Sequence, residues 1–286
     1  MKIPASELPK QPDGAIYHLN LHPQELADNI ILVGDPGRVS MISDLFDTVE
    51  LRKQNRELIT HTGIYQGKRV SVISTGMGTD NIDIVLNELD AVANIDLNTM
   101  EVKPEHRTLN LVRIGTSGAL QPDIECGCTV ASAWGFGIDG VLQFYDHGDW
   151  SNEELVNAFM AHTGWDDRLP RPYCTPASAK LLQRIGYDMY QGITVSAPGF
   201  FGPQGRQVRA RLGFPDLNGK IESFQYEGRS ITNMEMECSA IYGLGNVLGH
   251  NPLTVCLIIA NRITGKFLGD YHGLMRDLAR KVLDRF

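Results

Sequence analysis

The chain has 286 residues, 42% of them hydrophobic, with 26 Lys and Arg against 34 Asp and Glu, a formal net charge of −8. That length allows one sizeable core, and the acidic balance argues against a nucleic-acid-binding surface. An anion site would have to be built locally, from particular arginines and backbone N–H groups. The longest apolar run in the C-terminal half, Val255 to Ala260, is far too short to span a bilayer. The first residues lack the apolar stretch of a signal peptide, so a cytoplasmic location is expected. Five cysteines in mostly apolar contexts suit reduced thiols rather than a disulfide framework. Neither Cys126-Gly127-Cys128 nor any histidine pair has metal-binding spacing, so no metal is expected.

In chain order, Ile30–Val33, Val70–Ile73, Leu109–Ile114 and Thr254–Ile259 read as central strands buried on both faces. Ile82, Val85, Leu86 and Leu89 keep helical spacing between the second and third, and Leu274, Leu278 and Val282 keep it at the C-terminus. Gly135-Phe136-Gly137-Ile138-Asp139-Gly140 has dinucleotide-loop spacing after a strand at 129–133, but no helical pattern opens there, so a nicotinamide or flavin site is not expected. The stretch 199–228, rich in Gly, Pro, Gln and Arg, reads as a long irregular insertion of functional use. Strands alternating with helices predict an α/β fold. We take it as a single domain over 1–286: a central mixed, twisted sheet flanked by helices in three layers.

Three strands run into glycine-rich turns, where ligands gather in α/β folds. Gly34-Asp35-Pro36-Gly37-Arg38 follows the first, and Gly76-Met77-Gly78 the second. Arg113-Ile114-Gly115-Thr116-Ser117-Gly118 is expected to close the third as an anion nest of arginine, hydroxyls and glycines. Together they favour an oxyanion such as phosphate. Further on, Asn233-Met234-Glu235-Met236-Glu237 follows a β-prone run and precedes the small, apolar residues 238–248. Two acids two residues apart on an extended segment share a face, and burying them is costly unless donors meet them. The plain alternative is an acidic helix N-terminus.

Taken in order, these motifs, with Tyr17-His18-Leu19, Arg56-Glu57, Gln204-x-Arg206 and Asn261-Arg262, resemble the nucleoside phosphorylase family, its uridine-cleaving branch most closely. The similarity covers nearly the whole chain. It implies phosphate bound by Gly34, Arg38, Arg113, Thr116 and Ser117, with Arg56 reaching in from a neighbouring subunit. It implies ribose against Glu235, Met236 and Glu237, with His18 from the neighbour. The base is expected at Phe200, Gln204, Arg206, Ile259 and Ala260. Arg113, Arg206 and Glu237 are the expected catalytic groups. Asn261 stands where purine-specific relatives carry an acid. The resemblance further implies a homo-oligomer, at least a dimer, with shared sites, no cofactor beyond phosphate as co-substrate, and in some relatives a monovalent cation near Glu57.

Phosphorolysis of an N-glycosidic bond needs no protein nucleophile, and no nucleophile motif is present. Phosphate attacks C1′ while stabilising the positive charge that grows on the ribose. Uridine is the expected substrate. The same reaction on a purine nucleoside, an N-ribosyl hydrolase and a non-catalytic nucleoside-binding protein are the alternatives. The segment 139–172 has no assigned role.

Overall fold

The computed structural model describes residues 2–286. Its strands are β1 (Asn29–Val33), β2 (Thr48–Asn55), β3 (Leu58–Tyr65), β4 (Lys68–Ser74), β5 (Ile95–Asp96), β6 (Glu101–Val102), β7 (Asn110–Ala119), β8 (Thr129–Gly137), β9 (Tyr173–Pro176), β10 (Tyr190–Ser196), β11 (Gln225–Tyr226), β12 (Arg229–Glu235), β13 (Asn251–Asn261) and β14 (Lys266–Phe267). Its α-helices are α1 (Gly37–Ser43), α2 (Thr79–Asn94), α3 (Glu153–Thr163), α4 (Ala179–Ile185), α5 (Leu217–Ser223), α6 (Cys238–Val247) and α7 (His272–Asp284).

The four apolar runs become β1, β4, β7 and β13, adjacent and mutually parallel in the order β13-β7-β1-β4. Alternation within them feeds two cores. Ile30 and Leu32 of β1 pack with α2 and α6, while Ile31 and Val33 pack with α1, α4 and α7 on the other face. This is the expected three-layer arrangement, with side chains of period two serving both helical layers.

The sheet does not stay open. β13 pairs antiparallel with β8, β8 parallel with β10, and β10 parallel with β12. β12 then returns to pair Asn233 with Ala119 and Met234 with Gly118 of β7. Five strands thus close a ring on one side of an otherwise open sheet. On the other edge, β2 and β3 form a hairpin whose turn holds Arg56 with φ +53.

Several expectations need correction. The Arg113–Gly118 stretch is not a turn but lies inside β7, held by eleven-residue β13 along its length. Strand alternation therefore puts Thr116 and Ser117 on opposite faces, so their hydroxyls do not form one nest. The 199–228 insertion is not irregular throughout. Leu217, Ile221 and Phe224, spaced i, i+4, i+7, bring α5 and the chain after it onto a third core of Phe136, Phe159 and Trp165. On α7 the buried face is Met275, Leu278, Ala279, Val282 and Leu283, whereas Leu274 is exposed and lies over Gly127. The Gly135–Gly140 motif ends β8 and enters only a four-residue 3-10 turn, so no α-helix follows it as a dinucleotide site requires. No helix among the described residues is long and apolar enough to cross a membrane.

Candidate active site

Where β1 ends, it leaves a gap in the sheet. β1 pairs with β7 only as far as Leu32 opposite Arg113, and β12 takes up that edge only at Gly118. Residues 114–117 of β7 thus have no strand partner on that side. The turns after β1 and β4 abut at the same place: a Cβ on Gly34 would stand 3.3 Å from the Gly76 carbonyl oxygen. Thr75 N–H bonds the Val33 carbonyl at 2.8 Å. Arg38, in the first turn of α1, is half-buried, and its guanidinium forms no hydrogen bond or ion pair among the described residues.

Arg113 is buried at the gap, 5% exposed. Its Nη2 donates to Glu237 Oε2, its Nη1 lies 3.3 Å from Glu235 Oε2, and its Nε has no partner. The two carboxylates both reach Arg113, but their surroundings differ. Glu235 accepts from Ser196 Oγ at 2.6 Å and from the backbone N–H groups of Glu237 and Cys238 at 3.0 Å, so it sits on the N-terminus of α6. Glu237 accepts, besides Arg113, only the Gly78 N–H at 2.8 Å, from the N-cap of α2. Gly78 adopts φ +97, which a side chain would disfavour.

Burial pushes the Glu235 carboxyl above the usual carboxylate range, with Arg113 opposing and Glu237 reinforcing the rise. Burial likewise opposes the charge on Arg113, yet Glu237 and then Glu235 outweigh it and hold that guanidinium above its ordinary range. The helix-terminus alternative and the paired-acid reading are thus both realised: Glu235 meets the α6 N-terminus and Glu237 faces the gap's arginine.

At the far end of β7 a second group of residues gathers. Gln204 is buried, and Arg206 donates to its Oε1 and to the Phe200 carbonyl at 2.7 Å. The Arg206 guanidinium lies 3.9 Å from the centre of the half-exposed Phe200 ring. Arg262 stands nearby, donating to Asn218 Oδ1 at 3.3 Å and touching Met234 sulfur at 3.8 Å. Burial lowers the pKa of both arginines, and Arg262 lowers that of Arg206 further. Neither arginine is paired with a carboxylate among the described residues. Ile259 and Ala260 are half-buried at a slip in the β13–β7 register, between the Ile258–Ser117 and Ala260–Gly118 pairs. Arg262, absent from the expected base residues, was flagged in sequence only by its place beside Asn261.

Asn261 does not face this group. Its amide donates to the Gln121 and Ile124 carbonyls at 2.9 Å, and its Oδ1 accepts from Ile263 and Thr264 N–H. An apolar cavity of about 290 Å³ lies behind the loop, between Ile138, Trp165, Leu169, Pro203 and Leu217. It is lined by Gly205 but not by Arg113, Glu235 or Glu237.

Arg56 and His18 lie on adjoining segments. Asn55 Nδ2 donates to the Tyr17 and His18 carbonyls at 3.1 and 2.9 Å, tying the β2–β3 turn to the N-terminal turn at Tyr17–Leu19. His18 Nδ1 is 2.6 Å from buried Glu88, which also receives the His18 and Leu19 N–H groups. Arg56 is exposed and unpaired among the described residues. Glu57 is an exposed single carboxylate beside Gly76, so a cation there would need further ligands from a second chain. Met236 is half-buried between the two acids.

Asp90, His106 and His250 come together unforeseen, with one ligand-type atom of each within 4.8 Å of the others. Leu109 N–H donates to His250 Nδ1 at 3.2 Å, so a neutral ring carries its proton on Nε2, which faces Asp90 Oδ1 at 3.3 Å.

The family model of the Phosphorylase superfamily matches residues 28–286. The chain belongs to this superfamily. A uridine phosphorylase of Thermococcus kodakarensis is 29% identical over 272 residues, which is 93% of this chain and 84% of that protein. A DeoD-type purine nucleoside phosphorylase of a Thermoanaerobacter species is 39% identical over 251 residues, 87% of this chain and 89% of that one. A solved Trypanosoma brucei nucleoside phosphorylase, described as showing uridine phosphorylase activity, matches with a TM-score of 0.87 and 29% identity, covering 97% of this chain and 98% of its own.

Proposed function

We propose that this protein is a pentosyltransferase that converts uridine and phosphate to uracil and ribose 1-phosphate. The observation that carries this reading is Arg113, buried between two carboxylates at the unpaired edge of β7, with the unengaged Arg38 one turn beyond β1. Arg38, Arg113, Gly34 and the Thr116 backbone hold the phosphate. A phosphate oxygen bonds to C1′ as the C1′–N1 bond breaks, and the bonding pair leaves with the base. The phosphate charge, held in a site poor in water, stabilises the cationic sugar at the transition state. Glu237 and Met236 meet the ribose. Gln204 and Arg206, with Arg262 behind, meet the carbonyl oxygens on which the departing uracil carries its charge.

His18 and Arg56, side by side on one patch, complete the site of a second copy of the chain, so the active form is at least a dimer. Phosphate is the only co-substrate, and a monovalent cation at the single exposed carboxylate of Glu57 would have to take its further ligands from that second copy. Five free thiols, three of them buried, agree with a cytoplasmic enzyme.

A purine nucleoside is the second reading, favoured by the 39% identity to a DeoD-type enzyme. Against it stand the two arginines at the base end and the full commitment of Asn261 to backbone groups. Assaying base release from uridine and inosine, each with and without phosphate, decides. Phosphate-dependent release from uridine supports the proposal. Preference for inosine overturns the substrate, and phosphate-independent release overturns the reaction.

A further inference from the structure

Glu235 and Glu237 are two residues apart, yet their hydrogen-bonding capacity is spent differently. An ionised carboxylate has about four acceptor sites. Glu235 accepts three hydrogen bonds, from Ser196 Oγ–H and the N–H groups of Glu237 and Cys238, and adds an ion pair to Arg113 Nη1 at 3.3 Å. Glu237 receives only Gly78 N–H and Arg113. About two sites remain on Glu237, the number that a vicinal diol requires.

Ser196 is itself fixed from behind. It is fully buried, and its Oγ accepts the Ser239 N–H at 2.9 Å, which leaves its proton directed at Glu235. Ser239 Oγ–H donates to Asp139 Oδ2 at 2.9 Å, and Asp139 also accepts from Tyr173 OH and Val141 N–H at 2.9 Å each. A buried chain thus runs from Asp139, in the segment without an assigned role, to Arg113.

We propose that Glu235 is not a ribose ligand but the fixed counter-charge of Arg113, and that Ser196 is a positioning residue that acts through it. The Ser196 hydroxyl stabilises the ionised form of Glu235, and ionised Glu235 holds one end of the guanidinium while Glu237 shares the other with the sugar. The charged or titratable groups facing Glu235 are Arg113 on β7, Glu237 and Cys238 at the start of α6, and Cys256 on β13. Asp139 lies behind Ser196 and Ser239. Removing the Ser196 donor leaves all of these charges in place and removes one bond to the carboxylate.

The inference rests on the phosphorolytic reading. Activity of the unaltered enzyme tests that reading, and only the variants test this one. In Ser196→Ala, the acid limb of kcat/KM for phosphate moves to higher pH by about half a unit or more, with a smaller loss at high pH than at low. Phosphate ionises identically in both assays, so the difference reports on the protein. Glu235→Gln, which keeps shape and loses charge, raises KM for phosphate by about tenfold or more and leaves the preference for uridine over 2′-deoxyuridine unchanged. A Ser196→Ala limb coincident with that of the unaltered enzyme, or a loss equal at every pH, overturns the role of Ser196. A changed ribose-to-deoxyribose preference in Glu235→Gln returns Glu235 to the sugar. If Ser196→Ala does not fold, Glu235→Gln carries the test alone.

Discussion

The guanidinium of Arg113 lies where a side chain on residue 115 would begin: a Cβ on Gly115 would stand 1.8 Å from Arg113 Nη1. The two residues are neighbours on one face of β7, and the arginine folds back over the glycine to reach the acids. Nothing in the Gly115 backbone demands glycine, since its φ is not positive. The requirement is for space. Gly115→Ala should therefore keep the strand while expelling the guanidinium, lowering kcat/KM for phosphate by about 10²-fold, as loss of a charge-stabilising donor does. Steady-state kinetics beside a thermal melt would check it, and near-normal kinetics would remove Arg113 from the phosphate site.

Glu237 gives a second expectation. Loss of its charge leaves Arg113 and any bound diol short of an acceptor in a buried place, which costs about 1–3 kcal/mol. Glu237→Gln should hurt ribonucleosides more than 2′-deoxyribonucleosides, because the deoxy sugar forfeits less. Measured kcat/KM ratios for uridine and 2′-deoxyuridine that fall in parallel would refute a specific hydroxyl contact.

What could be read from the sequence followed from patterns local to one segment. Ile30–Val33 and its three counterparts are predominantly apolar runs rich in β-branched residues, and each became a central strand. Glu235 and Glu237 both reach Arg113, as the paired-acid reading expected, although β12 ends at Glu235 and Glu237 is the N-cap of α6. Arg113–Gly118 was misread because glycines signal turns only when no neighbouring strand claims them, and β13, more than 130 residues later, claims these. The different tasks of the two acids were also hidden, since Ser196 and Gly78 reach them from two distant segments, with Asp139 behind Ser196. Asn261 looked like a base-facing residue by position, yet the fold spends its amide on a turn.

That commitment yields a prediction about base choice. Asn261→Asp introduces the acid that the resemblance expects here in a purine-specific enzyme, but a carboxylate cannot donate to the Gln121 and Ile124 carbonyls. Two buried acceptors then face a negative charge, at a cost of about 2 kcal/mol or more. The variant should melt several degrees lower and gain no activity on inosine. Unchanged melting with new purine activity would show that Asn261 faces the base after all.

The sharpest test joins the site to assembly. Asn55 clamps the Arg56 turn to His18, so both residues leave the chain on one patch. If that patch completes the site of a second copy, an isolated monomer is inactive, and a two-fold dimer carries two composite sites. Arg56→Ala chains retain Arg113, and Arg113→Ala chains retain Arg56. A mixed dimer therefore has one intact site, built from Arg113 of the first chain and Arg56 of the second, and one site lacking both. Random exchange at equal concentrations should restore about a quarter of the normal site activity, from two preparations that are each inactive. Native mass spectrometry reports whether the subunits have exchanged. Exchange without recovery would mean that both arginines serve the same chain's site, and the shared-site reading would fall.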